Sequence, residues 1–188
     1  NIFELHVEGY YKVNDGLSRF KFKRNDRSIL NAGSSKSRGL DIFMKKSLQR
    51  HKLILSYSLS EVIEKFKNPQ GLGQELRAPQ SQKHELKTAA ILDFYPLQVT
   101  MSNIYGSGFP NRPEDRNAEM RSNYWRTDAA AQFSFDTDKL SIQTGFSLLN
   151  ITNHTNIRLN QSVNVPGDQI IDAYGVPFTF NMFLNLIF

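Results

Sequence analysis

Large apolar residues alternate with polar ones along most of this chain, and the alternation is cleanest at the carboxyl end. Counting back from Phe188, every second residue as far as Phe178 is large and apolar, whereas the intervening positions include Thr179, Asn181 and Asn185. Successive side chains of a β-strand point to opposite faces, so this stretch predicts a strand with one apolar and one mixed face. The last core strand of a soluble sandwich and a strand of a membrane barrel both fit this stretch alone.

The same period of two recurs upstream and predicts about eight strands in total. Besides the terminal stretch, it runs through residues 3–13, 40–48, 53–59, 86–94, 97–105, 125–135 and 140–148. Asn14-Asp15-Gly16 fits a tight hairpin turn or a bulge, and the change of apolar register there favours a bulge within one long strand.

The connections between these strands alternate in length. Short turns are predicted at 49–51, 95–96 and 136–139, and long loops at 24–37, 67–82, from 106 onward, and at 153–175. Outer-membrane barrels have this asymmetry, with short periplasmic turns and long outer loops. The sequence therefore predicts an all-β fold, an antiparallel transmembrane β-barrel, with odd residues 125–135 and even residues 178–188 facing lipid. Aromatic residues near the predicted strand ends would form its girdles: Tyr11, Tyr57, Tyr95, Tyr105, Tyr124 and Trp125.

Composition narrows the function classes. The 188 residues suit one domain, spanning 1–188, and they contain no Cys and no apolar run long enough for a membrane helix. The net charge is +5, but Lys and Arg are spread along the chain, which argues against nucleic-acid binding. No signal peptide is evident before the strand-like sequence that follows Asn1, so we expect a processed chain or a fragment.

Residues suited to catalysis or metal binding are scattered. The four His residues fall in separate segments without metal-ligand spacing, and no Ser-His-Asp grouping is legible. We therefore expect no metal, no cofactor and no enzymatic activity. If the chain contacts a ligand, the candidates form a basic and aromatic cluster around the third long loop, for which solvated loop charges are the alternative interpretation: Arg112, Arg116, Arg121, Tyr124 and Arg126.

Seven short segments, in order along nearly the whole chain, resemble TonB-dependent outer-membrane receptors of the Bacteroidetes type. Two of them are Tyr105-Gly-Ser-Gly-Phe-Pro110 and Tyr124-Trp-Arg-Thr-Asp128. The others lie at 7–17, 37–42, 55–60, 82–86 and 149–156. The end of the chain also resembles the assembly signal of barrel precursors, in which alternating apolar residues precede a terminal aromatic one: Phe180, Met182, Leu184, Leu186 and Phe188.

This resemblance implies a function and a set of partners. The family's barrel has about 22 strands around an N-terminal plug, so the chain would be the last third of the barrel, without the plug. Its expected activity is TonB-energised uptake of a scarce ligand across the bacterial outer membrane. The implied partners are outer-membrane lipid, the barrel-assembly machinery, the plug and remaining strands, the TonB complex through the plug, and a surface lipoprotein. The alternative is a complete small eight-stranded barrel with a structural, adhesive or passive pore role.

Overall fold

Strands make up the regular structure of this chain in a computed structural model, which describes residues 2–23, 26–67, 73–109, 123–138, 140–158 and 173–188. No helix in these ranges is long and apolar enough to cross a membrane. Eleven strands are found there: β1 (Ile2–Lys23), β2 (Asp26–Leu48), β3 (His51–Lys67), β4 (Gly73–Arg77), β5 (His84–Phe94), β6 (Leu97–Gly106), β7 (Tyr124–Asp136), β8 (Ser141–Leu149), β9 (Ile157–Arg158), β10 (Ala173–Tyr174) and β11 (Thr179–Ile187).

Nine strands join in one antiparallel sheet. Its order is β1-β2-β3-β5-β6-β7-β8-β11, with β4 paired to the far end of β3, while β9 and β10 form a separate ribbon. The terminal strand β11 pairs with β8 from Thr179↔Leu149 to Ile187↔Ser141. Among the described residues, no ladder joins β11 to β1, so this sheet is open and has two free edges.

The register of the ladders places the large apolar residues on one face of the sheet. Directly opposite residues of antiparallel strands project from the same face. Ala129 lies opposite Met101 and Leu148, and Leu148 lies opposite Phe180. The odd residues of β7 and the even residues of β11 therefore share a face, as the sequence predicts. The ladders add to this apolar face Leu5, Val7, Ile42, Met44, Leu53, Leu55, Leu92 and Val99.

The apolar face is not covered by any other described part of the chain. Its side chains are strongly exposed, reaching 76% for Met182, 62% for Leu184 and 61% for Phe3. Among the described residues, Ala78 is the only fully buried apolar one. The sheet is therefore a single layer without a core of its own, and the opposite face, here called the polar face, holds most of its charged and hydroxyl side chains.

The strands of the main sheet differ in length, and β7 with 13 residues is intermediate. β5, β6, β8 and β11 have 11, 10, 9 and 9 residues, whereas β1, β2 and β3 have 22, 23 and 17. The prediction of a loop at 24–37 is wrong for residues 26–37, because β2 begins at Asp26, opposite Lys23 of β1; residues 24 and 25 lie outside the described residues. The residues of 26–37 looked loop-like because they are small and polar, but ladder hydrogen bonds come from the backbone and do not require apolar side chains.

Several predicted details are confirmed and others need correction. Gly16 has φ +78°, and the β1–β2 register shifts beside it, so a bulge lies within one long strand. Short turns occur at 49–50 and 95–96, and between β7 and β8 the N–H of Thr137 donates to the carbonyl oxygen of Leu140 at 2.8 Å. The predicted loops 67–82 and 153–175 contain short strands that the sequence did not indicate. The first contains β4, and the second contains β9 and β10.

The aromatic residues near strand ends are only partly as predicted. Tyr105, Tyr124 and Trp125 lie at ends of β6 and β7, whereas Tyr11 and Tyr57 lie inside long strands. The reason is the extra length of β1 and β3. Tyr57 is nevertheless in one lateral row with Tyr105 and Trp125, through Leu86, so it lies level with the ends of the shorter strands.

Three glycines on the polar face let an aromatic ring from the next strand lie against the backbone. A Cβ on Gly39 would be 2.6 Å from the ring of Tyr10 and 2.7 Å from the carbonyl oxygen of Leu59. Gly145 has the same relation to Phe183 at 2.9 Å, and Gly33 has it to Phe66 at 2.5 Å. Rings that cover strand glycines help to fix register and bend a sheet. These contacts also give Phe183 and Phe66 a packing role on the polar face.

We predict that Gly39→Ala lowers the free energy of unfolding by about 1–3 kcal/mol, because the added methyl group has no room between the Tyr10 ring and the backbone. Gly9→Ala is the matched control, since its nearest neighbour is the carbonyl oxygen of Gly39 at 4.0 Å. That control should be neutral or slightly stabilising. Chemical denaturation of both variants measures the difference, and equal stabilities would contradict the packing role.

Candidate functional site at the loop end of the polar face

The polar face carries both acidic and basic side chains, and some of them form ion pairs. The Nζ of Lys45 lies 2.9 Å from Oε1 of Glu4, and Lys87 pairs with Glu85 within its own strand. Pairs this exposed contribute about 0–1 kcal/mol each. Their effect is therefore mainly to keep this face hydrated and of mixed charge, which suits a water-filled space better than a packed core.

Among the predicted ligand residues, Arg126 is held in place by an ion pair with Asp128. The two side chains lie on the same face because they are two residues apart in β7. The Nε of Arg126 donates to Oδ1 of Asp128 at 2.8 Å, and Nη2 lies 2.8 Å from Oδ2. The backbone N–H of Asn150 also donates to Oδ1 of Asp128 at 2.8 Å. Asp128 thus ties the guanidinium to the start of the fourth long loop.

Asn150 anchors that loop from within. Its side chain is 1% exposed, and φ is +51°, a conformation that Asn tolerates better than most residues. The Nδ2 group donates to the carbonyl oxygens of His154 at 3.1 Å and Val176 at 3.0 Å. One buried amide therefore joins the outgoing and returning arms of the loop.

Asn156 makes the corresponding contact with β7. Its Oδ1 accepts from the backbone N–H of Trp125 at 2.8 Å, and its Nδ2 donates to the carbonyl oxygen of Trp125 at 2.9 Å. The side-chain amide thus takes the place of a neighbouring strand, since the β7–β8 ladder stops at Ala129↔Leu148. On the returning arm, the N–H of Gly175 donates to the carbonyl oxygen of Asn156 at 2.7 Å.

Asn153 completes an asparagine cluster formed by Asn150, Asn153 and Asn156. It also has positive φ, at +49°, and its Oδ1 accepts from the N–H of Phe178 at 3.2 Å, one residue before β11. The regular spacing of three asparagines in 149–156 was the visible signal in the sequence. Only the structure shows that these side-chain amides replace backbone hydrogen-bond partners.

A cavity of about 280 Å³ lies beside this cluster. Tyr124 and Glu85 line it, together with Tyr105, Phe109, Ile157 and the chain around Gly106. The ladder Glu85↔Gly106↔Tyr124 runs across the polar face at the loop end of β5, β6 and β7. The lining contains three aromatic residues, two of which are tyrosines, and one carboxylate, which suit a small polar ligand with an apolar part.

The structure brings together two of the five predicted ligand residues. Tyr124 and Arg126 lie two residues apart on the polar face, whereas Arg112, Arg116 and Arg121 fall outside the described residues. Sequence reasoning missed Glu85 as a cavity residue and Asp128 as the partner of Arg126. The spacing of two between Arg126 and Asp128 could have indicated the pair. Within the described ranges, no three His, Asp or Glu side chains are grouped for metal binding.

No model of a known protein family matches the chain, and no curated protein or solved structure matches it either.

We predict that Asn156→Ala exposes the amide of Trp125 to solvent exchange, because that N–H loses its acceptor. Removing a buried partner costs about 1–3 kcal/mol, so local protection should fall by roughly ten- to a hundred-fold. Hydrogen–deuterium exchange measures this at Trp125. Asn185→Ala, an exposed asparagine in β11, is the control and should leave that amide protected. Unchanged protection in Asn156→Ala would contradict the bridging role.

Proposed function

We propose that this chain is part of the β-barrel of a TonB-dependent outer-membrane receptor that takes up a scarce ligand. The observation that carries the proposal is the single uncovered apolar face, matched in register across eight strands. In water such a face is a liability, whereas in a bilayer it meets lipid and the opposite face lines an aqueous interior. The strand lengths support this proposal, because β5, β6, β8 and β11 have 9–11 residues, and about 9–11 tilted residues cross a bilayer.

The length asymmetry of the connections gives the proposed orientation. The turns at 49–50 and 95–96 lie at one end of the sheet, together with the pair Asp136↔Ser141 and the end of β11 at Ile187, opposite Ser141. In outer-membrane barrels, short turns face the periplasm. The asparagine cluster and the Tyr124 cavity would then face outward, at the mouth where an incoming ligand arrives.

The open sheet favours a large barrel over a complete small one. In the described residues, β1 and β11 are not hydrogen-bonded to each other, and an unpaired edge is costly in a membrane. Other strands of the same receptor would occupy both edges. The coding sequence upstream of Asn1 separates the alternatives: a plug domain there supports the importer, whereas a signal peptide directly before Asn1 favours a small structural, adhesive or passive barrel.

We predict opposite environments for three consecutive alanines of β7. Because the chain has no Cys, single Cys variants of the receptor at Ala129, Ala130 and Ala131 can carry spin labels without background from this segment. Labels at 129 and 131 should be relaxed by oxygen dissolved in lipid, and the label at 130 by a water-soluble nickel chelate. Three labels with the same accessibility would contradict the membrane assignment, and the reverse pattern would invert the facing.

We also predict that the last residue acts in assembly. A terminal strand with an apolar face is recognised by edge pairing, in which the captured strand contributes backbone hydrogen bonds. Deleting Phe188 should reduce the amount of assembled receptor in the outer membrane without changing the ligand affinity of what does assemble. Ile187→Ala is the control, since it truncates an exposed apolar side chain on the other face of β11. Normal assembly after deletion of Phe188 would refute the signal role.

A further inference from the structure

The apolar face changes character abruptly in β2 and β3. Its last apolar pair in these strands is Leu40↔Leu59, and the next pair on the same face is Arg38↔Glu61. Beyond that, Lys36 and Arg77 flank Ile63. The side chains of Lys36, Arg38 and Arg77 are all exposed.

A cavity of about 500 Å³ lies at this boundary. Arg38, Arg77 and Lys83 contribute three positive charges to its lining, and Glu61 contributes one negative charge. Leu40 and Leu59 line it as well. The cavity therefore combines a cationic part with the upper margin of the apolar face, and its lining has a net charge of +2 from those four ionised groups.

The geometry of Arg38 is suited to a second anionic partner. Its Nε and Nη2 both donate to one oxygen, Oε2 of Glu61, at 2.9 and 2.6 Å, while the side chain remains 72% exposed. A guanidinium has five N–H donors in a planar fork, so one carboxylate oxygen does not saturate it. Phosphate oxygens match this fork well.

We propose that this boundary binds the phosphate headgroup of an anionic lipid whose acyl chains lie on the apolar face below it. The inference rests on the proposed membrane function. A site with basic side chains next to an apolar surface is complementary to an anionic lipid. The phosphate would contact Arg38 and Lys83, and the acyl chains would contact Leu40 and Leu59. Basic clusters beside a membrane-embedded surface are attracted to anionic headgroups in this way. A soluble anion would make no use of the leucine pair.

The test measures lipid binding by the full-length receptor in detergent, with native mass spectrometry as the readout. The probe is phosphatidylglycerol, and diacylglycerol with the same acyl chains serves as the uncharged comparison. In the double variant Arg38→Gln/Lys83→Gln, the Kd for phosphatidylglycerol should rise about 25-fold, from about a factor of five for each cation. Glu61→Gln should lower that Kd, because it removes the competing carboxylate.

The matched control is Lys12→Gln/Lys52→Gln, which removes two exposed lysines on the polar face. That control should leave the Kd unchanged. The proposal is overturned if both double variants lose affinity equally, or if diacylglycerol binds as tightly as phosphatidylglycerol. Displacement of the lipid by equimolar inorganic phosphate would also overturn it, because the site would then recognise the free anion.

Insertion of the unmodified receptor into lipid vesicles is measured first, by the heat-dependent shift in gel mobility that folded barrels display. Failure to insert refutes the proposed function. Insertion combined with no preference for phosphatidylglycerol refutes only the lipid site, so the two failures are distinguishable.

Discussion

The structure depends on one constraint, which is that no other described part of the chain covers the apolar face of the sheet. Burial of apolar surface contributes about 25 cal/mol per Å² to stability, and here the apolar face of the sheet remains uncovered. The medium or molecule that covers this face therefore decides whether the sheet is stable. Register becomes strict for the same reason, because a slip of one residue would exchange the apolar and polar faces of an entire strand.

Contacts on the polar face help to stabilise the single-layer sheet, which has no core. Close ring-to-backbone contacts at Gly39 and Gly145 supply packing where large side chains would be out of place. At the loop end, where the β7–β8 ladder stops, side-chain amides of Asn150 and Asn156 take over the backbone hydrogen bonds. Local polar chemistry thus replaces what sheet-on-sheet packing provides in a sandwich.

The sequence predicted those features that an alternation of apolar and polar residues reveals, namely strands and their two faces. Residues 125–135 and 178–188 were assigned to strands and to a common face, because a period of two survives in them almost without interruption. The segment 26–37 was missed because its small polar residues say little about backbone pairing. The function of Gly39 was also hidden, since it depends on a ring 29 positions earlier in the chain. Of the predicted ligand residues, the described chain contains Tyr124 and Arg126. Glu85 lies near Tyr124 through the register of β5, β6 and β7, whereas Asp128 contacts Arg126 from two residues further along the same strand.

The asparagine cluster has a consequence for how this chain can vary. Both arms of the fourth loop are fastened at its base, because β9 pairs with β10, Asn150 bonds to Val176, and Asn153 bonds to Phe178. The sheet therefore does not depend on the length of chain between positions 158 and 173. Insertions there, including a whole foreign epitope, would leave the strand order intact. Evolution can therefore change the number of residues between these two positions at little cost to the stability of the sheet.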